Sequence, residues 1–472
     1  MQPVLTVSEM KAVDARALAS TPVEVLVGRA GHAVALAALD LLGGAYGRRV
    51  VAVCGPGNNG ADGRVAARVL AGRGARVRTV EAGARGAVGP ADLVIDAAYG
   101  TGFRGEYLAP AVEAGTPVLA VDIPSGVEGD TGRASGSPLA ATRTLTFVAL
   151  KPGLVQGDGA GLAGAVSVVD IGLAPGDPAI SAMTDDDVAR MLPGRRREAN
   201  KWSAAVLVVA GSPGMAGAAA LCATSAYRAG AGMVRLGVPG GWLSAAPVSE
   251  AVGVALPGEG WAAAALEAAS RCAAVVVGPG LGREPSTAGE VRRLVEESPV
   301  PVLVDADGLF ALGRLDGRAP LGNRSPVVLT PHDGEYERMT GRRPGPDRIA
   351  AARHLADCSG AVALLKGPTT AVAAPGGRVL LGLAGTTNLA TAGTGDVLSG
   401  VIGAMIARGV APLEAAALGA HVHGRAGARG PVEGLAAGDL PDLVSSVLSD
   451  RTAPVEPRHL RSRERRGGSR HG

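Results

Sequence analysis

The chemistry-bearing residues of this chain gather in short glycine-rich segments. The first is Gly55-Pro56-Gly57-Asn58-Asn59-Gly60, followed by Ala61 and Asp62. Its spacing matches the G-x-G-x-x-G of a dinucleotide-binding turn, and Glu81 stands 21 residues after Gly60, where such a motif places a ribose-binding acid. Asn58, Asn59 and Asp62 nevertheless crowd the turn with side-chain oxygens. A pyrophosphate cradle wants bare backbone N–H groups, whereas amide and carboxylate oxygens suit a hard cation and a hydroxylated ligand. Three later segments supply more oxygens: Asp96-Ala97-Ala98-Tyr99-Gly100-Thr101-Gly102, Asp122-Ile123-Pro124-Ser125-Gly126 and Asp130-Thr131-Gly132. One Asp at such a place is ordinarily a helix cap. Asn59, Asp96, Asp122 and Ser125 together read as a converging site. A second group lies further on, in Lys366-Gly367-Pro368-Thr369-Thr370 and in Asn388–Asp396. There Gly393-Thr394-Gly395 opens a helix, whose free N–H groups and dipole make an anion site. Asp396, in the first turn, is placed to act as a general base. No Gly-Lys dipeptide occurs, so the G-x-x-x-x-G-K phosphate loop is excluded.

The elements that must position these residues are strands alternating with helices. Apolar runs at 49–54, 75–80, 93–97, 117–122, 142–148 and 165–170 predict strands, with a helix over 61–71. A second series runs through 204–210, 233–238, 274–278, 300–305, 327–330 and 362–366, and helices are expected at 396–407 and 413–426. The pattern predicts an α/β protein of two tandem three-layer domains, each with a mostly parallel sheet whose carboxyl edge carries the ligand. The expected boundaries are a first domain over 1–176, a linker with one short helix over 177–200, a second domain over 201–448 and a disordered basic tail over 449–472.

Length and composition fit this division. The chain has 472 residues, ample for two or three domains with buried cores. Apolar residues make up 47% and charged residues 19%, which excludes a disordered or fibrous chain, and the 72 glycines follow no G-X-Y period. Only 11 aromatics are present, too few for a base-stacking nucleic-acid platform. The net charge of +3 hides a basic C-terminus: residues 451–472 hold seven Arg against two Glu, which leaves the first 450 residues two net negative charges and no nucleic-acid footprint. Only four residues are Lys (11, 151, 201 and 366), so a Lys beside a glycine motif stands out. The four scattered Cys form no metal or disulfide framework and fit a reducing compartment. Without a secretory h-region at the N-terminus or a run of about 18 apolar residues, the expectation is a cytoplasmic protein with no membrane partner.

The strings NNGADGRVAARVL, DAAYGTGFRGE and VDIPSGVEGDTG, within roughly residues 5–172, resemble the NAD(P)H-hydrate epimerase family. The resemblance implies that Asn58, Asn59, Gly60, Ala61 and Asp62, with Gly100, Thr101, Gly102, Phe103, Arg104, Gly105 and Glu106, contact a hydrated dinucleotide. It implies a potassium ion on Asn59, Asp96 and Ser125, and substrate contact by Asp122. Epimerisation of a hemiaminal carbon needs a general acid/base near its hydroxyl, and Asp122 is the candidate. Ala61 departs from the family's usual Gly, which matters only if that position needs positive φ.

AGSPGMAGAAAL (210–221), GPGLG (278–282), DADGL (305–309), TPHDGE (330–335), KGPTT (366–370) and NLATAGTGDVLSGVIGAM (388–405) resemble the ribokinase-like superfamily, and more narrowly the ADP/ATP-dependent NAD(P)H-hydrate dehydratases. This implies that Ala218, Gly282, His332 and Asp396 contact the hydrate. Lys366, Gly367, Pro368, Thr369 and Thr370, with Gly393, Thr394 and Gly395, would hold the adenine nucleotide. Asp333 stands where the family has Pro, and Trp202-Ser203 interrupts a usual Lys-Gly. The implied function is a bifunctional repair enzyme using K⁺, ADP or ATP and Mg²⁺ on a small-molecule substrate, assembled as a homo-oligomer. Two other readings remain. One is an NAD-dependent oxidoreductase built on Gly55–Gly60 and Glu81, weakened because His32 is the only His before 332. The other is a nucleotide-binding module without turnover.

Overall fold

The computed structural model describes residues 1–84, 86–241, 248–317, 319–321 and 324–450. The expected tail lies outside these from 451 on, and its first two residues, Ser449 and Asp450, complete the helix Leu440–Asp450.

In the first half, six parallel strands lie side by side in the order Arg76–Glu81, Arg49–Cys54, Leu93–Ala97, Val118–Val121, Arg143–Phe147 and Ala165–Val169. The central strands are almost wholly apolar and buried, the exceptions being the exposed Arg49 at the start of one and the buried Asp96 in another, as a parallel sheet covered on both faces requires. Helices Val23–Leu42 and Asn58–Gly72 cover one face. Arg49–Cys54 comes first in the chain, and the chain leaves it on both sides. Strand order therefore reverses between Arg49–Cys54 and Leu93–Ala97, and open parallel sheets bind ligands at that switch point. Val23–Leu42 is long and apolar enough to cross a membrane by length and composition; here it packs against Asn58–Gly72.

The second sheet has 11 strands, in the order Gln2–Val4, Ile180–Ala182, Val379–Gly382, Thr370–Ala373, Val362–Leu365, Val327–Leu329, Val302–Val304, Ala274–Val277, Ala205–Val209, Met233–Pro239 and Val252–Leu256. The seven strands from Val362–Leu365 to Val252–Leu256 are parallel, with a second switch point between Ala205–Val209 and Ala274–Val277. Alternate residues of Ala205–Val209 feed two cores: Leu207 and Val209 one face, Val206 and Val208 the other. Helix Thr394–Ala407, buried on nearly all sides, lies against helix Ala216–Arg228 and strand Ala274–Val277.

Two expected boundaries are corrected. The 177–200 segment carries the expected short helix, Asp185–Met191, but is no linker: Ile180–Ala182 is a strand inserted between Val379–Gly382 and Gln2–Val4. Nor does the first domain begin at residue 1, because Gln2–Val4 edges the second sheet. Three-residue strands offer too short a pattern for alternation to mark them. The halves also share a core, in which Ile123, Val127, Leu154 and Val155 pack in one cluster with Leu365, Ala371 and Leu381.

Candidate active sites

A cavity of about 680 Å³ opens at the first switch point. Asn58, Asn59 and Asp62 enter from the first turns of helix Asn58–Gly72, and Gly100–Arg104 from the loop after Leu93–Ala97. Asp122 follows strand Val118–Val121 with φ 69°, a left-handed conformation uncommon for a residue with a side chain. Its carboxylate accepts from Thr101 N at 2.9 Å and from the Thr101 hydroxyl. It is also ion-paired to Lys151 Nζ at 2.8 Å. Lys151 is itself 1% exposed and donates to Thr146 Oγ1 and to the Phe147 carbonyl. Burial alone would raise Asp122, but Lys151 and the donated hydrogen bonds more than offset it and hold the carboxyl below its ordinary range. Asp62 has no such help: burial, and then the charge of Asp122, push it up to about 8.

Asp96 lies beneath this cavity, fully buried. Ser125 donates to it through its hydroxyl at 2.6 Å and its backbone N–H at 2.9 Å. Among the described residues no cationic side chain pairs with it, and burial pushes its carboxyl up. Asn59 reaches the cavity, and its Nδ2 is buried without a partner. Gly100 is a point of close approach: a Cβ there would lie 2.9 Å from Asp122 Oδ2 and 3.3 Å from Asn59 Oδ1, so those side chains would have to move.

The second group converges at the carboxyl edge of the larger sheet. Gly393, at φ 91°, ends the loop ahead of helix Thr394–Ala407, and Asp396 occupies the first turn. Lys366, at the end of Val362–Leu365, sits across from it. A Cβ on Gly395 would lie 3.5 Å from Lys366 Nζ. Lys366 pairs with Asp305 Oδ1 at 2.8 Å and approaches Glu335 Oε2 at 3.7 Å. Asp305 also accepts from Ser399 Oγ at 2.7 Å. Burial and then the charge of Asp305 raise the Asp396 carboxyl to about 6, against the pull of Lys366. Gly282 N donates to Asp307 Oδ2 at 3.0 Å, and Ala218 packs beside Gly280. Arg348 donates to the carbonyls of Lys366 and Thr369 and so shapes the 366–370 loop.

Gly60, Ala61, Gly105 and Glu106 are not in the cavity wall, and neither are Asp96 and Ser125. Ala61 is not among the positive-φ residues, so the extra methyl brings no backbone strain. His332 is the cap of helix Asp333–Thr340, its Nδ1 accepting from Gly334 N and Glu335 N; it also borders a smaller cavity of about 200 Å³. Asp333, the departure from Pro, pairs with Arg348 at 2.9 Å. Trp202 is covered by the Arg271 guanidinium, 4.2 Å from its ring centre. The Thr369 hydroxyl donates to the Val155 carbonyl, so its side chain turns toward the first half while its own carbonyl is taken by Arg348. Sequence reasoning passed over Lys151, Asp305 and Arg348 as site residues. For Lys151 a signal existed, the scarcity of Lys. For Asp305 it was its place at a strand end. For Arg348, one Arg among many, there was none.

With this geometry in view, comparisons place the chain. Residues 206–449 match the family described as NAD(P)H-hydrate dehydratase, and residues 23–86 and 78–153 match the YjeF-related protein N-terminus. A bifunctional NAD(P)H-hydrate repair enzyme of Salinibacter ruber is 37% identical, covering 95% of this chain and 96% of its own. One from Mycobacterium leprae is 39% identical, covering 96% and 99%. The chain belongs to the bifunctional NAD(P)H-hydrate repair enzyme family. A solved ADP/ATP-dependent NAD(P)H-hydrate dehydratase of Bacillus subtilis, co-crystallised with ATP/Mg²⁺, superposes with a TM-score of 0.50 at 29% identity, over 57% of this chain and 98% of that one. A ribokinase-like superfamily protein of Enterococcus faecalis, at 18% identity and TM-score 0.50 over 58% of this chain and 98% of that one, shares the fold of the second half. Family membership sets the oxidoreductase reading aside. The structure agrees, since Glu81 is 70% exposed and taken by Arg64 at 2.8 Å rather than lining the cavity.

Proposed function

We propose that the chain repairs hydrated NADH and NADPH at two sites: the first half interconverts the R and S epimers, and the second half dehydrates the S epimer at the expense of ADP or ATP. The observation that carries the second reaction is Asp396, in the first turn of a helix behind a glycine anion loop and within reach of the charges of Asp305 and Lys366. Asp396 takes the proton of the substrate hydroxyl, and the oxygen attacks the terminal phosphoryl group of the nucleotide. The N–H groups of Gly393–Gly395 and the Lys366 ammonium stabilise the transferring charge. The phosphate ester then departs as the ring nitrogen supplies electrons, and a proton lost from the neighbouring carbon leaves NAD(P)H. A carboxyl titrating near 6 is mostly ionised at neutral pH while staying basic enough to accept that proton. Among the described residues no cluster of three or more His, Cys, Asp or Glu could hold a metal. Mg²⁺, which would neutralise phosphate charge, therefore fits as an ion carried on the nucleotide.

In the first half the substrate hydroxyl faces Asp122, the general acid/base, and the Asn58–Asp62 and Gly100–Arg104 walls hold the dinucleotide. Asp96 supports potassium, because its buried carboxylate lacks a cationic partner among the described residues and keeps lone pairs beyond those taken by Ser125 and Ala98 N. With Ser125 and Asn59 it would hold a monovalent ion, which would supply the missing positive charge and fix the loops. Four free cysteines support a cytoplasmic location.

The test is purified protein with a mixture of hydrated NADH epimers and ADP or ATP, followed by the absorbance of NADH. Complete conversion is expected. Conversion of only the S share would leave the first half without epimerase activity, and none at all would overturn the assignment.

A further inference from the structure

We propose that Asp62 is a catalytic residue of the epimerisation, giving its carboxyl proton to the departing hydroxyl while Asp122 takes the proton of the water that returns. The proposal deepens, and rests on, the reading of the first cavity as the epimerisation site.

Asp62 stands in the wall of that cavity, 7% exposed, early in the helix that follows the glycine loop. Its side chain makes no hydrogen bond or ion pair with any of the described residues. Asp122, in the same wall, is held by Thr101 and paired with Lys151. A carboxyl in a cavity wall that no protein group satisfies lowers its cost by keeping its proton or by meeting water or a ligand in the cavity. Two carboxyls in one cavity with such unequal surroundings are the arrangement that divides an acid from a base. The charged groups facing this space agree. Asp122 adds negative charge against Asp62, and burial followed by Asp122 also raises Asp14. The ammonium of Lys151 is spent on Asp122, Thr146 and Phe147, while Lys11 and Arg104 line the cavity without pairing with Asp62. Asp62 thus titrates near 8 and carries its proton at neutral pH, whereas Asp122 is ionised.

The proton balance is complete. The substrate carbon bears a hydroxyl and the ring nitrogen. Its C–O bond breaks with the electron pair going to oxygen, the Asp62 proton makes water, and the nitrogen lone pair forms the iminium bond. Water then adds to the other face, the π pair returns to nitrogen, and Asp122 receives the released proton. Transfer from Asp122 back to Asp62 through cavity water restores the enzyme, and the net change is inversion alone.

The experiment follows exchange between hydrated NADH epimers by NMR, without adenine nucleotide and above the uncatalysed rate, across pH 6 to 10. Wild-type exchange should hold level and then fall about tenfold per pH unit above pH about 8, as the acid form of Asp62 is lost. Asp62→Asn should lower exchange by ~10²–10⁴-fold and abolish that fall, while ADP- or ATP-driven dehydration of the S epimer stays at the wild-type rate. Wild-type exchange by Asp62→Asn, or a wild-type profile with no fall above pH 8, overturns the proposal. If Asp62→Asn fails to fold, as its circular dichroism and melting curve would reveal, the wild-type profile decides alone. Asp122→Asn separates the two readings. If it is inactive while Asp62→Asn is not, only the role of Asp62 falls; if both exchange normally, the cavity is not the epimerisation site.

Discussion

Asp396 and Lys366 face each other with Asp305 between them in charge, and this sets the chemistry of the second site. Asp305 pulls the lysine toward itself and pushes the Asp396 proton affinity up. Asp396→Asn should lower dehydration by ~10²–10⁴-fold while adenine-nucleotide affinity, read by calorimetry, changes little. Because Asp396 acts as its base form and its proton is lost near pH 6, dehydration should rise with pH through about 6 and then level; a rate already level at pH 5 would count against it. Lys151 makes the matching statement for the first site. Removing one member of a buried ion pair strands the other, at a cost of about 3–5 kcal/mol. Lys151→Met should therefore destabilise the first half by about that much. Adding Asp122→Asn should recover part of the loss, which a double-mutant cycle in denaturant would measure.

Both sites hang on turns that bring backbone close to side chains. The loop after Leu93–Ala97 passes so near Asn59 and Asp122 that a methyl group on Gly100 would push their side chains aside. Gly100→Ala should lower epimer exchange at least tenfold, since an ångström of misplacement at a catalytic group costs on the order of 10²-fold. Dehydration should be untouched, because its residues come from the other sheet. Assays of both reactions on one preparation would show this. At helix Asp333–Thr340 the cap is a His rather than Ser or Asp, and Glu335 answers it by accepting from the His332 backbone N–H at 2.8 Å. The capping bonds fix Glu335 beside Lys366, so a local device of helix termination also places a charge in the site.

The two halves are joined by more than a connecting segment. Strands Gln2–Val4 and Ile180–Ala182 complete the edge of the second sheet, and Val155 and Gln156 of the first half reach the second. Val155 accepts from Thr369, and the Gln156 amide meets Ile349 N and Asp347 Oδ1 at 3.2 Å each. A second half begun at Lys201 loses both edge strands and uncovers Val379–Gly382. It should melt well below the whole chain and aggregate more readily, as an unpaired sheet edge invites. Beginning it at Asp177 restores one strand and should recover part of the difference, as read by calorimetry and light scattering.

The amino-acid pattern alone locates the sites to the level of loops. Long β-branched runs such as RVVAVC and AVLVV mark central strands whatever surrounds them, and glycines with oxygens after those runs mark a carboxyl edge. Asn59, Asp62, Asp122, Lys366 and Asp396 were legible there because each stands within a few residues of a strand or helix end. Ile180–Ala182 and Gln2–Val4 were not, because three residues carry no period and pair only with strands distant in the chain. The same holds for Lys151 on Asp122, Asp305 on Lys366, and the unequal surroundings of Asp62 and Asp122. Those depend on which side chains the fold buries together, and burial, which sets both proton affinities and ion pairs, belongs to the tertiary structure.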